Sequence, residues 1–213
     1  MLRFVDRVDA GRRLAARMDH LGLVSPVVLG LPRGGIPVAA EVAAALRVPV
    51  GVFVARKLNA PGRQELGIGA VAEGLGKPVV SPAAHQLGLS AAELDMLVER
   101  ARAELARRVS LYRAGRPLPT IGGKDVVLVD DGLATGVTAE AALRALRDRR
   151  PKRLVLAVPV CAREPADRLA TVADDLVCLQ SPTPFRSVSE WYEDFSQTTE
   201  EEVLSLLEHN QAR

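Results

Sequence analysis

Apolar residues along this chain follow two rhythms. The runs VVLGL (27–31), VGVFVA (50–55), DVVLVD (125–130), RLVLAVPV (153–160) and LVCL (176–179) are almost uninterrupted, the pattern of strands buried on both faces. Between them apolar positions recur at helical spacing, in IPVAAEVAAAL (36–46), over 137–148 and in a short stretch at 165–172. Ser90 with Glu93 forms a capping box opening a long helix to about Tyr112, with Leu94, Leu97, Val98, Ala101, Leu105, Val109 and Tyr112 on one face. Thr199 with Glu202 repeats the capping pattern before a last helix ending near Glu208. This alternation predicts an α/β fold: a doubly wound parallel sheet of about five strands flanked by helices. The segment LNAPGRQELGIGAVAEGLGKP (58–78) follows neither rhythm and is expected as a mobile loop with a short extended piece around Gly69–Glu73. No repeat or low-complexity linker interrupts the pattern, so residues 1–213 are expected as a single domain.

Composition narrows the function. At 48% hydrophobic and 25% charged the chain sits in the ordinary globular range, and 3% aromatic content disfavours an aromatic-rich β-sandwich. A net charge of +2 is too small to argue for nucleic acid or an anionic membrane, and no apolar run is long enough to cross a bilayer. MLRFVDRVDAGRR carries charges where a signal peptide needs an apolar core, so the cytoplasm is expected. Cys161 and Cys178 are too few for a disulfide framework and are expected as free, buried thiols.

Ligands of doubly wound sheets bind beyond the carboxyl ends of the strands, and three such ends carry unusual chemistry. After 27–31 comes Leu31-Pro32-Arg33-Gly34-Gly35, a turn exposing backbone N–H groups and one guanidinium just before a helix, which favours an anion. After 50–55 come the cations Arg56 and Lys57. After 125–130 the adjacent Asp130 and Asp131 lead into Gly132-Leu133-Ala134-Thr135-Gly136-Val137-Thr138. The amides of that loop and the hydroxyls of Thr135 and Thr138 suit a phosphate monoester, whose oxygens need several donors at once. Two neighbouring carboxylates repel unless hydroxyl donors or a cation satisfy them, and a sugar diol with a divalent metal does both. No G-x-x-x-x-G-K-[ST] is present, and Gly67-Ile68-Gly69-Ala70-Val71-Ala72 lacks the strand and helix that a dinucleotide fingerprint needs.

With VVLVDDGLATGVTA in view, the chain resembles type I phosphoribosyltransferases, and in more detail a group of predicted bacterial members whose base is not evident. The long motif is specific; the Arg-Gly-Gly turn and the basic pair gain weight from their order and spacing. The resemblance implies a type I phosphoribosyltransferase fold with a small hood. It also implies Mg²⁺ and phosphoribosyl pyrophosphate, from which a nitrogenous base or similar nitrogen nucleophile displaces pyrophosphate at C1 of the ribose. Residues Gly132, Leu133, Ala134, Thr135, Gly136, Val137 and Thr138 would hold the 5′-phosphate. Asp130 and Asp131 would address the ribose hydroxyls and, directly or through water, the metal. Arg33, Gly34 and Gly35 would take the pyrophosphate, with Lys57 and Arg56 neutralising it; Asp130, Asp131, Lys57 and Arg33 are thereby the catalytic candidates. Segment 58–76, with Glu65, Gly67 and Gly69, would be a lid.

Relatives acting on 6-oxopurines commonly carry an aspartate where this chain has Ala134; the Ala-Thr-Gly version looks more like adenine-type enzymes without fixing the base. Specificity is expected in a hood at 181–195, where Phe185, Trp191, Tyr192 and Phe195 place four of the chain's seven aromatic residues. They either stack a flat base or form a local core pinning the tail to the sheet. The inserted helix (about 90–113) and the residues just after it carry six arginines, Arg100, Arg102, Arg107, Arg108, Arg113 and Arg116, interleaved with Glu93, Glu99 and Glu104, which reads as a solvated face or subunit contact in preference to an RNA surface. Expected partners are small-molecule substrates, with no nucleic acid and no membrane; a homo-oligomer is left open. The alternative is a regulator that binds phosphoribosyl pyrophosphate without consuming it.

Overall fold

In the computed structural model, which describes residues 3–81, 84 and 86–209, the apolar runs form one five-stranded parallel sheet. The side chains of Gln64 and of Glu65, the latter expected in the lid, lie outside what is described. The strands of the sheet are β1 (Val27–Gly30), β2 (Val50–Val52), β6 (Asp125–Val129), β7 (Arg153–Val160) and β8 (Asp175–Gln180), in spatial order β2-β1-β6-β7-β8. Every residue of β6 is buried, as the Val/Leu run requires of the central strand. The chain winds outward from β1 to β2 in one direction and from β6 to β8 in the other. The topological switch therefore falls between β1 and β6, which pair from Val27↔Val126 to Gly30↔Val129. The sheet agrees with the expected α/β class.

Helices α1 (Arg7–Met18) and α2 (Gly35–Leu46) pack on each other against one sheet face; α4 (Val137–Arg147) and the short α5 (Arg163–Leu169) lie on the side of the second core cluster. The long α3 (Ala91–Arg113) has the expected capping box: Ser90 N–H donates to Glu93 and Glu93 N–H to Ser90 Oγ. Its buried face is Val98, Ala101, Leu105 and Tyr112. The last helix, α6 (Glu200–His209), begins at the Thr199–Glu202 cap. No helix among the described residues is long and apolar enough to cross a membrane.

Three expectations need correction. The run 50–55 is not one strand: β2 stops at Val52, and Ala55 begins β3 (Ala55–Ala60), which pairs antiparallel with β4 (Arg63–Ala72), itself paired with β5 (Val79–Val80). The expected loop at 58–78 is thus largely this second sheet. Leu58, Ile68 and Val71 are buried against α3, while Ala55, Ala70 and Ala72 are buried with α4. Alanine and glycine on the packed faces carry too little apolar signal for the alternation to show. Second, α1 is missing from the sequence reading, because RVDAGRRLAARM is polar on most of its circumference. Third, Cys161 and Cys178 are joined as a disulfide. Parallel pairing of β7 with β8 brings their Cα atoms to 6.3 Å, a separation that sequence distance does not reveal.

Glu73, just past the end of β4, forms a buried ion pair with Arg113 at the end of α3 and also accepts the Val54 N–H at 2.8 Å; Arg113 additionally donates to the Val52 carbonyl. This pair ties the inserted helix to both sheets. Glu73→Ala leaves a buried guanidinium unpaired and is expected to cost about 3–5 kcal/mol, measured as a lowered denaturation midpoint. A loss below about 1 kcal/mol would mean that water reaches Arg113.

Candidate functional site

The two ends that follow β1 and β6 meet at the switch point, the place where a doubly wound sheet binds its ligands. The loop after β6 is clipped in place at Leu133, which is buried: its N–H donates to the Val160 carbonyl at 2.9 Å and its carbonyl accepts the Ala162 N–H at 2.8 Å. Arg168 of α5 holds the Thr135 carbonyl at 2.6 Å. With the carbonyl turned outward, the amides of Thr135, Gly136, Val137 and Thr138 have no acceptor among the described residues. They form a row of donors at the start of α4, where the helix dipole also favours an anion. Thr135 is exposed and Thr138 half-buried, so both hydroxyls are reachable.

Beside this cradle stand the two aspartates. Asp131 N–H donates back to Asp130 Oδ1 at 2.9 Å, and Arg7 Nε donates to Asp131 Oδ2 at 2.9 Å. Burial, followed by the charge of Asp131, pushes the Asp130 carboxyl well above its ordinary range. Burial also raises Asp131, opposed by Arg7. Arg7 is a site residue that sequence reasoning missed: its partner lies 124 positions away, and no local pattern marks it.

The Arg33-Gly34-Gly35 turn backs directly onto this pair. A Cβ on Gly34 would overlap Asp131 Oδ2, and one on Gly35 would sit 2.8 Å from the Val129 carbonyl. Both glycines are there for close approach. The Pro32–Arg33 peptide is cis. The Arg33 carbonyl accepts the Ile36 N–H at 3.1 Å, while its guanidinium has no hydrogen bond or ion pair to any described residue. Gly35 N–H already donates to the Leu31 carbonyl, so it is not available to pyrophosphate in this arrangement.

Arg56 and Lys57 point to opposite faces of β3, as pleating requires. Arg56 pairs with Val71 on the α3 face, where burial and then Arg108 hold its proton affinity below the usual value. Lys57 pairs with Ala70 on the face packed toward α4, whose N-terminus is the cradle.

The aromatic tail is mostly a local core. Tyr192 is buried between Phe4 and Phe195, at ring-centroid distances of 5.4 and 4.9 Å, and its hydroxyl donates to the Asp131 carbonyl at 2.6 Å. Phe185 and Trp191 pack around Phe4 and Tyr192. Backbone pairs join residues 4–5 to 191–194, so the N-terminal arm and the tail form one unit. Phe195 lines a cavity of about 370 Å³ beside the Arg33 turn, together with Arg7, Arg33, Gly34, Gln197 and Thr198 and none of the other three aromatics. Stacking on Phe185, Trp191 or Tyr192 is therefore not what this cavity offers a flat ligand. The arginines of α3 are largely consumed within the chain: Arg107 pairs with Glu104 and Glu200, Arg108 with Glu104, Arg102 with Glu99.

A carboxyl with raised proton affinity favours folding below its unfolded pKa, and that contribution fades as pH rises through its folded value. Asp130→Asn is accordingly expected to raise the denaturation midpoint of the unliganded protein at neutral pH. The gain should vanish below the ordinary carboxylate range, where Asp130 is protonated in both states. A gain independent of pH would contradict the assignment.

The chain is similar to known proteins over most of its length. The family of the phosphoribosyl transferase domain matches residues 5–196. A Mycobacterium tuberculosis protein, Rv0571c, named as a candidate phosphoribosyl transferase, is 42% identical over 205 residues, 96% of this chain and 46% of that protein. The bifunctional protein PyrR of Corynebacterium diphtheriae is 31% identical over 144 residues, covering 67% of this chain and 57% of its own length. The chain thus spans about half the length of the curated relatives it matches. Among solved structures, TT1426 from Thermus thermophilus is similar at 44% identity and a TM-score of 0.81, over 98% of this chain and 99% of that one. With its family match running from the N-terminal arm through the aromatic tail, the chain belongs to the phosphoribosyl transferase domain family.

Proposed function

We propose that this chain is a phosphoribosyltransferase that passes the ribose 5-phosphate of phosphoribosyl pyrophosphate to a nitrogen nucleophile and releases pyrophosphate. The observation that carries the reading is the juxtaposition at the switch point: amides at 135–138 without acceptors among the described residues, two carboxylates, and on the adjoining turn an Arg33 guanidinium with no partner among them. A 5′-phosphate, a sugar diol and a pyrophosphate present these needs in this order. The two aspartates suit Mg²⁺, which is commonly held by one or two carboxylates and completed by substrate oxygens and water. Bound there, the ion would neutralise charge on the pyrophosphate.

In this reading the chain's work is positioning and electrostatics. The cradle fixes C5 of the sugar through the phosphate. The Asp131 oxygen not taken by Arg7 accepts from a ribose hydroxyl. As the C1–O bond breaks, its electron pair leaves with pyrophosphate, and Arg33 and Lys57 face the growing negative charge while the nucleophile closes on C1 from the other side. In this reading the β3–β4 hairpin would close over the site and limit water, which would otherwise hydrolyse the cationic sugar. With Ala134 in the loop, no carboxylate stands at that position to accept the nucleophile's proton. Because a multiply phosphorylated sugar does not cross a bilayer unaided, the proposed compartment is the cytoplasm.

The test is pyrophosphate release from phosphoribosyl pyrophosphate, with mass identification of product, using Mg²⁺ and a panel of bases and amines. Acceptor-dependent release is expected. Tight binding without turnover across the panel would favour the regulatory alternative. Lys57→Ala is expected to weaken phosphoribosyl pyrophosphate by about tenfold, a loss of one charge-assisted contact, and ribose 5-phosphate much less. Equal weakening in calorimetry would remove Lys57 from the pyrophosphate.

A further inference from the structure

We infer that Arg7 is a positioning residue for the reaction, fixing the Asp131 carboxylate in the orientation that meets the sugar hydroxyls. The inference rests on the phosphoribosyl reading above and gives a role to a residue outside the motif.

Three contacts hold the guanidinium. Nε donates to Asp131 Oδ2 at 2.9 Å, a terminal nitrogen donates to the Ser196 carbonyl at 2.7 Å, and the group lies 3.9 Å from the centroid of the Phe195 ring. The side chains of Arg7 and Asp131 are only 12% and 17% exposed. A planar fork held by an acceptor, a ring and a carboxylate has little freedom, so it transmits a fixed direction to Asp131. Only one carboxylate oxygen is used. Oδ1 of Asp131 has no partner among the described residues and is left for a ligand.

Arg7 is not needed to hold the N-terminal arm. Phe4 is fully buried, and Phe4 N–H donates to the Trp191 carbonyl, Glu193 N–H to the Phe4 carbonyl and Asp194 N–H to the Val5 carbonyl. Asp6 caps α1 through the Asp9 N–H. The arm is anchored on either side of Arg7 without it. Gly34, in turn, is matched to the pair: a Cβ there would overlap Asp131 Oδ2 and lie 3.1 Å from Arg7 Nε. A side chain at 34 would push the carboxylate off Arg7, and a glycine lets it stay.

The test compares two metal-free ligands by calorimetry. Inorganic phosphate reads the 135–138 cradle alone, and ribose 5-phosphate reads the cradle plus the carboxylates. Arg7→Met is expected to weaken ribose 5-phosphate about tenfold, the scale seen when a supporting partner of a binding group is removed, and to leave inorganic phosphate within about twofold. Because Arg7 acts through Asp131, adding Arg7→Met to Asp131→Asn should cause no further loss. Equal weakening of both ligands, or additive losses in the double variant, would overturn the inference. Should Arg7→Met fail to fold, Arg7→Lys carries the test. A lysine reaches one of the two acceptors and not both, so weaker ribose 5-phosphate with unchanged phosphate is expected, and no change in either overturns it. A wild-type protein that binds no ribose 5-phosphate overturns this inference together with the reading beneath it. One that binds it yet never releases pyrophosphate sinks the transferase reading alone.

Discussion

Two carboxylates placed side by side at the end of a buried strand repel each other and resist losing water, and the chain arranges four separate segments to tolerate them. The Asp131 amide turns back to Asp130, Arg7 comes in from the first helix, Tyr192 binds the Asp131 carbonyl from the tail, and Gly34 leaves room from the facing turn. A protein that needed only stability would fill this place with an apolar pair. The acidic doublet persists at the switch point of the sheet, and the described residues around it leave one oxygen of each carboxylate and a row of amides unspent. Unspent polar groups gathered at a switch point are what a binding site consists of before its ligand arrives.

The position of the site follows from the winding of the sheet. Strands β1 and β6 are neighbours in space although β1 ends at Gly30 and β6 begins only at Asp125. Their following helices, α2 and α4, leave toward opposite faces, so the turn at 33–35 and the loop at 132–138 face each other across the gap. The cation-bearing turn and the acidic loop are thus complementary by topology. The Arg33 guanidinium makes no ion pair with the carboxylates and lines a cavity with Phe195, Gln197 and Thr198, while Arg7, from the first helix, pairs with Asp131. Under the proposed reading, that division gives one guanidinium to support and one to a ligand.

What could be read from the sequence depended on whether the signal was local. The Val/Leu strands other than 50–55, and the capped α3, are runs of neighbouring residues, and each stands close to where the pattern puts it. The β3–β4 hairpin was hidden because Ala55, Ala70 and Ala72 are core residues too small to mark a face, and because Gly67 and Gly69 resemble loop residues. Arg7 and the Cys161–Cys178 bond were hidden for another reason: each joins residues whose proximity exists only after the sheet is assembled. The tail shows a third limit. Composition located an aromatic cluster correctly, yet only packing distinguishes Tyr192, enclosed by Phe4 and Phe195, from Phe195, which reaches a cavity.

The inserted helix has a role that its charge pattern conceals. A short antiparallel sheet beside a parallel one needs cover on both faces, and α4 covers one of them. Helix α3 supplies the other through Val98, Ala101 and Leu105, and the buried Glu73–Arg113 pair fixes its end to the strand. With both faces packed, pleating leaves no choice about the adjacent cations: Arg56 must turn toward α3 and Lys57 toward α4. Lys57 is then on the side of the amide row, and Arg56 sits among Arg107, Arg108 and Glu104 of the helix. Under the proposed reading, the insertion thereby decides which of two neighbouring cations is turned toward the anion, by covering the face that the other one occupies.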